Sequence, residues 1–167
     1  MVKSSHGHFE IAKLLLVCGA NMNFQEDNGW TALMIACDNG HNKTTNLLLE
    51  YGADVNILEN DGWTATMIAS QKGHTEIAKN LLKYGADVNA LNKNKRSALM
   101  IASEKGNFGM AEVLLNHGAD VNVQDMDGWS ALMLASQYDY SETAKLLLHF
   151  HANVNMQKDS INISHRK

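Results

Sequence analysis

The chain has 167 residues and a formal net charge of −4, which argues against a general nucleic-acid or anionic-membrane binder because such proteins carry excess Lys and Arg. Its two cysteines, Cys18 and Cys37, are too few for a disulfide framework and indicate a reducing, intracellular setting. No apolar run approaches the roughly 18 residues of a membrane span, and no signal segment is visible. We therefore expect a cytoplasmic protein, with a nuclear location left open.

A 33-residue period runs through the chain. It is seen in two sets of equivalent alanines: Ala36, Ala69, Ala102 and Ala135, and Ala53, Ala86, Ala119 and Ala152. Self-similarity at such a period is typical of stacked repeat proteins, in which each unit packs on its neighbours. The length of the chain then sets the number of repeats.

Residues 1–25 are predicted to form a partial repeat. The dipeptide Gly7-His8 aligns with the same dipeptide 33 residues later, yet almost nothing precedes it. The stretch from Phe9 to Cys18 has apolar residues at helical spacing, and Gly19 is placed to end that helix. We expect this end to be a cut through a longer array.

Four complete units are predicted at 26–58, 59–91, 92–124 and 125–157. In each, a turn precedes a Thr or Ser N-cap, a short helix, a helix break and a second amphipathic helix such as 75–84. In the first unit, Leu33, Ile35 and Ala36 are expected to pack inward. Thr66 replaces an inward Leu, so its hydroxyl needs a partner such as a carbonyl of the preceding turn.

Some positions break the pattern. Lys95 stands where the other units have a turn glycine, and a positive φ there would cost on the order of 1 kcal/mol. In the fourth unit, Asp139 and His151 replace two further glycines. Residues 158–167 lack the pattern, so we expect a degenerate C-terminal tail that frays.

These features resemble the ankyrin repeat family. The resemblance covers nearly all of the chain and rests on segments repeated in register: Asp61-Gly62-Trp63-Thr64, Gly73-His74, Leu81-Leu82 and Gly85-Ala86-Asp87-Val88-Asn89. It implies an all-α solenoid of paired antiparallel helices with β-turn fingers. It also implies a concave face, formed by the fingers and the first helices, on which partners usually bind.

The chain departs from the family at one tetrapeptide. The usual Thr-Pro-Leu-His becomes Thr31-Ala32-Leu33-Met34 in the first unit, and the other units also have Met in place of His. Met offers adaptable apolar packing instead of hydrogen bonds between loops. We expect a methionine ladder in the core: Met34, Met67, Met100 and Met133.

No constellation points to catalysis. His8, His41 and His74 occupy one repeat position and are therefore separated by one stacking step each, which indicates a structural role. Neither cysteine has a marked base beside it, and no zinc spacing, phosphate loop or dinucleotide motif is present. The sequence predicts no enzyme activity, no metal and no cofactor.

The predicted surface offers two candidate binding features. Trp30, Trp63 and Trp129 share one position, and Arg96 takes it in the third unit. The indoles either pack flat on neighbouring fingers or anchor a partner, since Trp and Arg dominate binding hot spots; both can hold. Lysines around Arg96 are either an ordinary charge mixture or a dock for an acidic or C-terminal carboxylate segment. The predicted partner-binding residues are Asp27, Trp30, Asp38, Asp61, Trp63, Gln71, Lys72, Lys93, Arg96, Lys105, Trp129 and Tyr138.

The sequence thus predicts a non-catalytic scaffold module that binds another protein through the concave face, as a monomer. The alternative is a regulatory or targeting segment of a larger enzyme, channel or ubiquitin ligase. A third hypothesis, a nucleotide or single-stranded nucleic-acid site with bases stacked on the indoles, is disfavoured by the net negative charge. We expect neither a nucleic-acid nor a membrane partner.

Overall fold

The computed structural model describes residues 9–10, 12–15 and 17–158. The backbone is helical at residues 9–10, 12–15 and 17, and Gly19 has a φ of +81°. Gly7-His8 and most of the predicted tail, 159–167, lie outside the described residues. None of the helices in the described part of the chain is long and apolar enough to span a membrane.

Four pairs of α-helices follow, each made of a first and a second helix. Their bounds are α1 Ala32–Asp38, α2 Asn42–Glu50, α3 Ala65–Lys72, α4 Thr75–Lys83, α5 Ala98–Glu104, α6 Phe108–Asn116, α7 Ala131–Gln137 and α8 Ser141–His149. In the described chain, extended pairing is confined to one isolated bridge between Gln124 and Ser130, in the turn before α7. The predicted all-α class is confirmed.

Each first helix begins at a hydroxyl N-cap, as predicted. The side chains of Thr31, Thr64, Ser97 and Ser130 each accept a hydrogen bond from the backbone N–H three residues later, at 3.2 to 3.3 Å. This bond satisfies one of the amide groups that a helix start leaves unpaired. The second helices lack such a cap; His74, for example, precedes α4 without a side-chain capping bond.

The helices stack in two layers. First helices contact one another in the order α1, α3, α5, α7, second helices do so in the order α2, α4, α6, α8, and each pair packs internally. Alanines such as Ala69 and Ala102, both fully buried, let the layers approach closely. Met34, Met67 and Met100 are each 1% exposed, which confirms the methionine ladder, while Met133 at the end of the stack is only partly buried.

Two inward positions differ from expectation. Ile35 is 40% exposed, so its predicted inward packing is wrong, whereas Ile68 and Ile101 at the same position are buried. In the described part of the chain, α1 has no preceding first helix packed against it. The Ile35 side chain therefore lacks the neighbouring helix that α3 and α5 have on that side, and it stays exposed. Thr66 is 1% exposed, but its hydroxyl has no hydrogen-bond partner among the described residues, so the expected carbonyl partner is also wrong.

Positive φ angles occur where the sequence departs from glycine. Lys95 has a φ of 58°, which meets the condition for strain stated for this position, and Asp139 and His151 have φ angles of 58° and 64°. Contacts with the next repeat explain glycine at some of these positions: a Cβ on Gly106 would lie 2.6 Å from the Tyr140 ring, too close for a side chain. A Cβ on Gly118, which is equivalent to His151, would meet nothing within 4 Å, so a side chain fits that position sterically.

Asparagine side chains join successive repeats, a role that the sequence analysis missed. Asn89 Oδ1 accepts a hydrogen bond from Asp120 N at 2.8 Å, and Asn89 Nδ2 donates to the Gly118 carbonyl at 3.1 Å. The same bridge from side-chain oxygen to the next repeat recurs at Asn23, Asn56 and Asn122. These bonds lock the register of the stack.

Candidate functional site

The groove face is defined here as the surface formed by the four fingers, 26–30, 59–63, 92–96 and 125–129, and the exposed side of the first helices. Within each finger, the N–H of the first residue donates to the carbonyl of the fifth, at 2.9 to 3.1 Å. Successive fingers are also bonded to each other: Lys93 N donates to the Asp61 carbonyl, and Met126 N to the Asn94 carbonyl. The fingers therefore form one hydrogen-bonded row.

Side chains inside the fingers orient the aromatic stripe. Asp125 Oδ1 accepts hydrogen bonds from the N–H groups of Asp127 and Trp129, at 3.0 and 2.9 Å. Glu59 and Asn92 do the same in their own fingers. Such side-chain bonds to the local backbone are a usual way to hold a tight turn. The backbone that carries the stripe is thus held by hydrogen bonds within each finger.

Trp30, Trp63 and Trp129 are all partly buried and pack against the hydrophobic core. Their buried sides support the packing interpretation, and their exposed sides leave indole surface on the groove face. Trp129 also lies beneath a cation, since Lys158 Nζ is 4.1 Å from the centroid of its ring. The stripe therefore combines packing on the core with accessible indole surface.

Arg96 forms an ion pair along the groove face. Its Nη2 atom lies 3.0 Å from Glu104 Oε2, and the two side chains are 21% and 23% exposed. The alignment is not that of a hydrogen bond, and neither Nη2 nor Nε of Arg96 has a hydrogen-bond partner in the described structure. Glu104 was missed as a site residue, although its repeat position is that of the predicted residues Asp38 and Gln71. Repeat register alone would have found it.

The predicted basic cluster is partly neutralised. Lys72 Nζ lies 3.0 Å from Asp38 Oδ1, which links the ends of α3 and α1. Lys93, Lys95 and Lys105 are exposed, and no ion pair to them occurs within residues 17–158. Three lysines are therefore the available cations of this region.

A groove of about 550 Å³ lies between the third and fourth fingers. Its lining residues are Asn94, Arg96, Glu104, Asp125, Met126, Asp127, Trp129, Leu134, Gln137 and Tyr138. The groove brings together three of the predicted site residues, Arg96, Trp129 and Tyr138. The other predicted residues lie outside its lining: Asp27, Trp30, Asp38, Asp61, Trp63, Gln71, Lys72, Lys93 and Lys105.

A second, more apolar groove of about 260 Å³ lies at the N-terminal end of the stack. Trp30, Ile35 and Phe24 are among its lining residues, and Phe24 is 67% exposed. Trp30 therefore borders a different cavity from Trp129, and the stripe does not form one continuous pocket.

Cys37 is buried and Cys18 is exposed, and neither forms a disulfide. Burial raises the pKa of the Cys37 thiol to about 12; the nearby Thr45 hydroxyl opposes this and the Asp38 carboxylate adds to it. A thiol with so high a pKa stays protonated and unreactive. Across residues 17–158 and the described part of the N-terminal helix, no group of three His, Cys, Asp or Glu side chains could hold a metal ion.

These features define a helical repeat solenoid. A family model for ankyrin repeats matches residues 1–92 and 87–158, and the chain therefore belongs to the ankyrin repeat family. Members of this family are generally protein–protein interaction modules and typically non-catalytic. A search of curated proteins gave no significant match.

Proposed function

We propose that this chain is a non-catalytic scaffold module that binds a partner protein on its groove face. One observation carries the proposal: the groove between the third and fourth fingers joins Arg96, Trp129 and Tyr138, which come from two repeats and belong to the residue types that dominate binding hot spots. The hydrogen-bonded fingers add support because a preorganised surface loses little conformational entropy on binding.

We further propose that an acidic segment of the partner contacts the third finger. The support comes from Lys93 and Lys95 on that finger and from Lys105 at the end of α5, all exposed and free of ion pairs in the described structure. Arg96 and Lys72 contribute less because Glu104 and Asp38 already neutralise them. Exposed charges of this kind act mainly on association rate and specificity.

Affinity capture with the immobilised chain and mass spectrometry tests the binding face. The variants are Trp129→Ala on the groove face and Tyr84→Ala as a matched aromatic control, since Tyr84 is 44% exposed at the end of α4 and does not line the groove. We expect the same protein to be captured by the unmodified chain and by Tyr84→Ala and to be lost with Trp129→Ala. Equal capture by both variants, with both shown to be folded by circular dichroism, would refute the groove.

The contribution of the lysines is tested on the captured partner. Charge reversal at Lys93 and Lys95 together should slow association several-fold at low salt, and the difference should shrink as salt is raised. Reversal of Lys83, an exposed lysine on α4, is the control. Unchanged association after reversal on the third finger would exclude the acidic segment without affecting the groove proposal.

Light scattering of the free chain tests the expected monomer.

A further inference from the structure

The groove between the third and fourth fingers is unevenly charged. Three carboxylates, those of Glu104, Asp125 and Asp127, line it against the single guanidinium of Arg96. Glu104 is engaged by Arg96, and one Asp125 oxygen is engaged by its own finger. The side chain of Asp127 is exposed and forms no hydrogen bond or ion pair with the described residues. Negative charge is therefore available at the finger end of the groove.

The remaining walls of the groove are apolar or aromatic. Trp129, Leu134 and Tyr138 line it, and Met126, which is 63% exposed, lies at the fourth fingertip. A side chain that fits both kinds of wall has an apolar stem and a cationic head, the combination found only in Lys and Arg. Indole and phenol rings add attraction for a cation placed over their faces.

The chain itself shows cations held by residues of this groove. Lys158 Nζ lies 4.1 Å from the centroid of the Trp129 ring. The guanidinium of Arg96 lies against Glu104. Trp129 and Glu104 thus each accept a basic side chain within the protein, which supports the same preference toward a ligand.

We propose that this groove receives a Lys or Arg side chain of the partner, with its stem along Trp129 and its charged head at Asp127. This proposal rests on the proposed function and specifies which type of partner side chain enters the groove between the third and fourth fingers. It is compatible with an acidic residue at the third finger, because Lys93 and Lys95 lie outside the lining of the groove. The partner segment then carries charges of both signs.

A titration followed by ¹H–¹⁵N NMR of the full chain tests this proposal. The probes are three blocked tripeptides with alanine on either side of arginine, of its neutral analogue citrulline, or of glutamate. At millimolar concentration, the arginine peptide should shift the Trp129 indole N–H signal, while the citrulline and glutamate peptides should do so much less. Equal shifts with citrulline, or tighter binding of the glutamate peptide, would overturn the proposal.

A pair of variants tests whether the Asp127 carboxylate is the charge that the arginine peptide contacts. Asp127→Asn should weaken binding of the arginine peptide about two- to fivefold, the effect expected for one exposed ion pair. Asp87→Asn removes the same charge at an exposed residue outside the groove lining and should leave the affinity unchanged. Asn fits both positions, since Asn94 is equivalent to Asp127 and Asn153 is equivalent to Asp87. Equal weakening by both variants would show diffuse electrostatics only and would also overturn the proposal.

The two levels of inference fail in different ways. If the arginine peptide binds no better than citrulline but Trp129→Ala still loses the captured protein, the cation preference is wrong and the binding face stands. If capture is insensitive to Trp129→Ala, the proposed function fails whatever the peptides do.

Discussion

Arg96 and Glu104 lie eight residues apart in the chain, at opposite ends of α5, and their charged atoms meet at 3.0 Å. Because both side chains are about four-fifths buried, water screens this pair less than a fully exposed one. We expect a coupling energy of about 1 kcal/mol, at the upper end for surface pairs. Urea unfolding of Arg96→Gln, Glu104→Gln and the double variant measures it, and a coupling within about 0.3 kcal/mol of zero would contradict the expectation.

The buried hydroxyl of Thr66 should destabilise the array. Thr66→Val keeps the shape and removes a polar group without a partner, so the free energy of unfolding should rise by about 1 kcal/mol. Thr64→Val is the matched control, because the Thr64 hydroxyl caps α3 by accepting from Met67 N at 3.2 Å. That variant should lose about 1 kcal/mol. The same sign for both variants in urea unfolding would contradict this account.

Lys95 adopts a left-handed backbone that favours glycine. Lys95→Gly should therefore raise the free energy of unfolding by about 1 kcal/mol. Lys93→Gly, in the same finger, removes the same charge at a residue without a positive φ, and it should lower that free energy by about 0.5 kcal/mol through added freedom of the unfolded chain. Thermal and urea unfolding of the two variants should thus shift in opposite directions.

The asparagine bridges should contribute measurably to stability. Asn89→Ala removes two hydrogen bonds between repeats, and we expect a loss of about 1 to 2 kcal/mol in the free energy of unfolding. Asn155 occupies the same repeat position at the end of the described chain, where its side chain forms no such bridge to a described residue. Asn155→Ala should therefore change stability much less. Similar losses for the two variants would show that the bridges are not the cause.

The two cysteines should differ in reactivity. Cys18 is exposed and Cys37 is buried, with the pKa of its thiol raised to about 12. Iodoacetamide at pH 8 should label Cys18 in the native chain and Cys37 only after urea unfolding, which mass spectrometry of the digested protein resolves. Rapid native labelling of Cys37 would contradict its burial.

The raised pKa of Cys37 also predicts how stability depends on pH. Above about pH 9 the thiol ionises in the unfolded chain but stays protonated in the folded one, so the unfolded state binds fewer protons and stability falls. The expected slope is up to about 1.4 kcal/mol per pH unit between about pH 9 and 12. Cys37→Ser should lack this contribution. The serine also suits the site, since Ser70 and Ser103 at equivalent positions donate to carbonyls one turn earlier at 2.8 Å.

The 33-residue period predicted structural features that follow from the type of residue at each repeat position. The hydroxyl caps and the burial of three of the four ladder methionines follow from residues within one repeat and are confirmed. The period makes equivalent positions look alike, however. It could not show that Ile35, at one end of the described stack, lacks the neighbouring helix that buries Ile68 and Ile101. The Arg96–Glu104 pair depends on side-chain conformations within the third repeat, and the groove depends on those of two neighbouring repeats. The spacing of residues determines neither.

The bonds between fingers have a consequence for exchange with solvent. The Met126 amide can exchange its hydrogen only when its bond to the Asn94 carbonyl opens, and that opening separates the third finger from the fourth. A molecule seated across both fingers holds them together, and the exchange of this single amide then slows in proportion to occupancy. The exchange rate of the Met126 amide hydrogen, at the rim of the groove, thus reports whether a molecule is bound there.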